Sequence, residues 1–150
     1  MSSILDLFQD HAVRRFAPGE LILEGGKKAG ILFVLLEGAI EVRKGSVVVD
    51  FVREPGAVFG EISALLNSGH TADVRAAEAS ALYVIEEPHK YLREHPEFHL
   101  HVSELLARRL SALVKYLTDV KQQYEGHDHL GMVDEVLETL VHRQPRKRGV

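Results

Sequence analysis

The apolar positions of this chain change period near residue 86. Before it, short apolar runs alternate with glycine-bearing turns; after it, apolar residues recur at intervals of three and four. Ser3 is placed to cap a short helix reaching Asp10, with Ile4, Leu5, Leu7 and Phe8 on one side. Pro18-Gly19 marks a turn, and a short strand is predicted over 20–23. Residues 31–37 form a nearly continuous apolar run, the length of a strand covered on both faces and too short for a helix. Residues 39–44 alternate as a strand with one wet face, and Gly45-Ser46 is a two-residue hairpin turn into a strand over 47–53. Pro55-Gly56 is a further turn, and two more strands are expected over 71–77 and 81–86. Many short strands punctuated by such turns predict a mainly β fold with helices: an antiparallel β-roll or jelly roll with a short internal helix, followed by C-terminal helices.

Pro88 opens a short helix to about Glu94, and Pro96 opens a long one that Gly126 ends, since proline at the first helical position gives up no hydrogen bond. Leu106, Leu110, Leu113, Leu117, Val120 and Tyr124 alternate as d and a positions of a coiled coil, which predicts a homodimer through this helix. A second amphipathic stripe, Val133, Val136, Leu137, Leu140 and Val141, precedes Pro145 and a basic PRKR end. The expected organisation is residues 1–126 as a domain including the long helix, with 127–150 as a terminal helix and tail of the same structural unit.

Composition narrows the function classes. The chain has no cysteine, which removes disulfides, thiolate zinc sites and cysteine-held iron–sulfur clusters and suits a reducing cytoplasm. A net charge of −4 argues against a general nucleic-acid coat, and the basic end reads as a solvated terminus. No apolar run approaches the roughly 20 residues of a membrane span, and the N-terminus lacks the pattern of a signal peptide. The segment GGKKAG at 25–30 lacks the GK[ST] ending of a phosphate loop. No nucleophile–base pair, metal triad or paired acid and base stands out, so an enzyme is not expected.

The segment 56–77, GAVFGEISALLNSGHTADVRAA, carries the most information. It resembles the phosphate-binding cassette of cyclic-nucleotide-binding domains: a strand ending Phe59-Gly60-Glu61, one helical turn with Ala64-Leu65-Leu66, a short loop, then Thr71-Ala72 and a returning strand through Val74. Pro18-Gly19-Glu20, Gly26, Phe33-Val34 and Gly38 fit the family's turns and strands, and Leu106 to Leu110 looks like the exit helix of its catabolite-activator branch. The resemblance runs from about Phe16 to Leu117 and implies a regulatory sensor of cAMP or cGMP, with no resident cofactor. It implies ligand contact at Phe59, Gly60, Glu61, Ile62, Ser63, His70, Thr71, Ala72 and Arg109.

The chemistry of these positions can be read directly. Glycine at 60 admits close backbone approach, and a helix beginning at 61 presents N–H groups to an anion. Glu61 suits a ribose 2′-hydroxyl, or else merely favours the helix N-terminus. Thr71 donates to phosphate or base, or simply follows β-branched strand preference. Arg109 stacks on a base or is a solvated helix arginine. His70 departs from the family, which has arginine there: a mostly neutral imidazole offers one N–H where a guanidinium offers a charged fork, a loss of about 1.5–3 kcal/mol. Arg75, offset by five, falls on the opposite face of a regular strand.

His95 with His99, and His127 with His129, have suggestive spacings but no convincing third ligand, so no metal is expected. Haem lacks a second axial ligand. About 25 residues follow Gly126, too few for a winged helix-turn-helix, so any output is expected through the helices or an effector protein. The competing reading keeps the fold without the ligand, as a dimerising scaffold.

Overall fold

The computed structural model describes residues 4–123 and 131–141. The expectations resting on Ser3, Tyr124, Gly126, His127, His129 and the basic end lie outside them. Eight strands form two antiparallel four-stranded sheets. They are β1 (Val13–Phe16), β2 (Leu21–Leu23), β3 (Leu32–Glu37), β4 (Ile40–Lys44), β5 (Val47–Val52), β6 (Val58–Phe59), β7 (Asp73–Ala76) and β8 (Ser80–Ile85). One sheet runs β1-β8-β3-β6 and the other β2-β7-β4-β5. The helices are α1 (Glu61–Leu66), α2 (Pro88–Glu94), α3 (Pro96–Gln123) and α4 (Gly131–Val141). The chain forms two compact units, Met1–Val102 and Ser103–Val150.

The core of the roll gathers Phe16, Leu23, Phe33, Leu35, Ile40, Phe59, Val74 and Leu82 from both sheets. Phe33 and Leu35 point into it, while Leu32 and Val34, on the opposite face of β3, are equally buried. The run at 31–37 is thus apolar because it is covered twice, as its pattern predicts. All six residues of β8 are buried for the same reason. A 3-10 turn, Ile4–Phe8, covers the outer face of β8 by stacking Phe8 on Tyr83 at 5.5 Å between ring centroids.

One expectation is corrected, the clean alternation of β4, and two further features were not read from the sequence, the strand β1 and the exposure of β5. The strand β1 has no sequence signature, because VRRF lies at the sheet edge with three of its four residues exposed. β4 does not alternate cleanly: Glu41, Val42 and Arg43 are all half-buried. The strand bulges between Val42 and Arg43, and the Arg43 Nε–H donates to the Glu41 carboxylate at 3.0 Å, covering part of the outward face. β5, the edge of its sheet, exposes Val47, Val48, Val49 and Phe51. Their apolar character therefore reflects strand preference and not burial. The Gly45-Ser46 turn is as expected, with Gly45 at φ +61 and Lys44 paired to Val47 across it.

In the second unit, the Thr118 hydroxyl donates back to the Val114 carbonyl at 2.8 Å, and Lys121 pairs with Asp134 of α4. Leu110 and Leu113 are exposed on α3, whereas Leu117 and Val120 are half-buried.

Candidate functional site

The site is built where β6 turns into α1 and where the chain returns toward β7. Phe59 packs in the core of the roll, so it contributes the end of its strand and not its ring. Gly60 takes φ +90, and a Cβ there would stand 2.7 Å from the Ile31 carbonyl oxygen, so the turn requires glycine. The first helical bond of α1 runs from the Ala64 N–H to the Gly60 carbonyl at 3.0 Å. The N–H groups of Glu61, Ile62 and Ser63 therefore precede the helical ladder. Glu61 and Ser63 are buried and Ile62 lies at the surface. The Ser63 hydroxyl donates to the Ser68 carbonyl, and the left-handed Asn67 (φ +51) closes the helix on the Ser63 carbonyl.

His70 lies in the loop that follows, and the Gly25-Gly26-Lys27 turn holds its backbone. The His70 N–H donates to the Lys27 carbonyl at 3.0 Å, and its carbonyl accepts from the Gly26 N–H at 2.8 Å. The turn is itself fixed from β7, where the Asp73 carboxylate accepts the Gly25 N–H at 2.7 Å. A Cβ on Gly69 would stand 2.5 Å from the Gly26 carbonyl oxygen, so this packing also demands glycine. The arrangement brings the imidazole up to Gly60: its Cε1 is 3.7 Å from where a Gly60 Cβ would sit. His70 is 7% exposed, and its Nε2 has no hydrogen-bond partner among the described residues. Burial holds the imidazole pKa below its ordinary value, partly opposed by the Glu61 carboxylate.

Gly60, Glu61, Ser63 and His70 thus come together. Thr71 is exposed in a bend, and because β7 begins only at Asp73, strand preference does not account for it. The same delayed start removes the parity argument about Arg75. That side chain is instead engaged elsewhere, its Nη1 donating to the Gly19 carbonyl at 3.2 Å. Ala72 lies half-buried against the Gly25 turn. Arg109 is an exposed residue of α3 in the second unit. Sequence reasoning missed the holding roles of Gly25, Gly26 and Asp73. Only the doubled glycine pointed to them, and it was read for phosphate chemistry. Among the described residues, no group of three or more His, Asp or Glu side chains gathers as a metal site, and no helix is long and apolar enough to cross a membrane.

A buried imidazole that stays neutral in the fold but protonates in the unfolded chain costs stability on acidification. Its folded pKa is depressed, so the contribution is intact above the unfolded value of about 6.5 and declines as the pH falls toward the folded one. The wild-type domain is accordingly expected to lose more stability than His70→Gln between pH 7 and pH 5 in urea unfolding. Parallel losses in the two proteins would remove His70 as the titrating group.

Two antiparallel sheets enclosing one core, with a short helix and a buried imidazole beside its first residue, define a β-roll. The profile of the cyclic nucleotide-binding domain matches residues 13–90, more than half of the 150-residue chain. The chain belongs to the cyclic nucleotide-binding domain family. A transcriptional regulator from Thermotoga maritima is similar in structure with a TM-score of 0.68 at 16% identity, over 81% of this chain and 99% of that one. The catabolite activator protein of Thermus thermophilus is similar with a TM-score of 0.63 at 22% identity, over 92% of this chain and 80% of that one. A protein from a cyclic-GMP-dependent signalling pathway of bacterial phytopathogenesis reaches 0.59 at 21% identity, over 77% of this chain and 95% of that one. At such identities the likeness shows the fold. Among curated proteins, none matches the chain in sequence.

Proposed function

We propose that the chain is a regulatory sensor module, not an enzyme, which binds cAMP or cGMP weakly at the cassette and works in a reducing cytoplasm. The observation that carries this reading is the His70 imidazole, buried beside Gly60 with its Nε2 unpartnered among the described residues. A buried polar group without a partner costs about 1–3 kcal/mol, which an anionic acceptor at the start of α1 relieves. A single N–H from a neutral ring replaces the charged fork of an arginine, so the affinity falls by about 10- to 150-fold from what that fork provides. Glu61, close enough to raise the imidazole pKa, suits the ribose hydroxyl. Calorimetric titration with cAMP and with cGMP tests the proposal: a saturable heat is expected for at least one of them, and none for either at millimolar concentration overturns it.

A dimerising role is favoured separately by the exposed Leu110 and Leu113, which share a heptad stripe with Leu106, Leu117 and Val120. Sedimentation is expected to give a dimer at high micromolar concentration, which Leu110→Asp with Leu113→Asp converts to monomer. A strictly monomeric wild-type mass rejects this interface.

A further inference from the structure

A cavity of about 410 Å³ opens between α1, α2 and the loop bearing Lys28 and Gly30. Of the four residues gathered at the cassette, Ser63 lines it, whereas Gly60, Glu61 and His70 do not. Ala64 and Pro88 give it apolar walls, and Lys28, Lys90 and Arg93 surround it against the single carboxylate of Glu87. Lys90 lies 3.9 Å from that carboxylate, which leaves Lys28 and Arg93 with no acidic partner among the described residues. Three cations around one concavity stand out in a chain whose net charge is −4. The volume falls in the range of small-molecule sites, about 300–1,000 Å³.

We propose that this cavity is a second ligand site, which takes a small phosphorylated metabolite with its phosphate on Lys28 and Arg93. The guanidinium of Arg93 supplies the planar fork that matches phosphate oxygens, and Lys28 adds a point charge. Asn67 and Ser68, at the C-terminal end of α1, add polar groups to the lining, while Ala64 and Pro88 accommodate the uncharged part of the ligand. This site uses neither the imidazole nor Gly60; it shares with the cassette Ser63, whose hydroxyl is committed to the Ser68 carbonyl.

Inorganic pyrophosphate is the probe, titrated into the full chain by calorimetry. Wild type is expected to bind it saturably, and Lys28→Gln with Arg93→Gln to weaken binding at least tenfold. His70→Gln is expected to change it less than twofold. A matched removal of two exposed charges elsewhere, Lys44→Gln with Arg53→Gln, is likewise expected to have less than a twofold effect. Circular dichroism checks that each variant is folded. Absence of binding by wild type overturns the proposal. So does a loss that follows His70, which puts pyrophosphate in the cassette, and so does an equal loss in the Lys44 and Arg53 control, which reduces the effect to net charge.

Discussion

His70→Arg is expected to tighten cAMP or cGMP binding about tenfold or more. The side chain at 70 is held from its backbone, by the Gly26 N–H and the Lys27 carbonyl, so its direction survives the change. A guanidinium there meets the start of α1 with a charged fork in place of one neutral N–H, and a charge-assisted bond is about twice as strong as a neutral one. Tenfold is about 1.4 kcal/mol, the lower end of that exchange. The Glu61 carboxylate, which already favours a cation at 70, offsets part of the cost of burying the new charge. The pH profile reports the same chemistry independently. Anion binding favours the protonated imidazole, so wild-type affinity is expected to rise from about pH 8 to pH 6. Because burial depresses the free-state pKa, the rise continues below 6.5 before levelling. His70→Arg flattens this profile. If arginine leaves affinity unchanged while the roll remains folded, or if the wild-type profile is flat, His70 does not face the ligand.

The largest effect on stability is expected at Phe98, where substitution by alanine costs about 3–5 kcal/mol. The ring is fully buried. It meets Phe8 edge-on at 5.1 Å and Tyr91 at 5.4 Å between centroids, and lies 6.2 Å from the His101 ring. Phe98 therefore joins the 3-10 turn, α2 and the start of α3 in one aromatic cluster, which Phe8 extends to Tyr83 of β8. Truncation leaves a cavity among rings whose positions depend on each other, and such a site collapses poorly. Leu100→Ala, two residues further along α3 at a position 59% exposed, is the control and is expected to cost under about 0.5 kcal/mol. Urea midpoints of the two variants decide the point: a loss below about 1 kcal/mol for Phe98→Ala would mean that the aromatic cluster is not what holds the 3-10 turn, α2 and residues 96–102 together.

What the sequence by itself determined is local. Glycine and proline punctuation located the Gly45-Ser46 hairpin and the start of α2 at Pro88, because turn geometry and a missing N–H act within a few residues. The unbroken run at 31–37 revealed a doubly covered strand. The tertiary structure decided the rest, since it depended on contacts between distant segments. VRRF is a strand only because the fully buried β8 offers it an edge, and β5, at the edge of the other sheet, leaves its valines exposed because no described element covers them. The direction of His70 is set by a turn more than forty residues earlier, itself held by Asp73, 48 residues beyond Gly25. The bonds to His70 itself are backbone bonds and read no side-chain identity, so the clamp's trace in the sequence is confined to Asp73 and the glycines around it; closing it is a property of the fold.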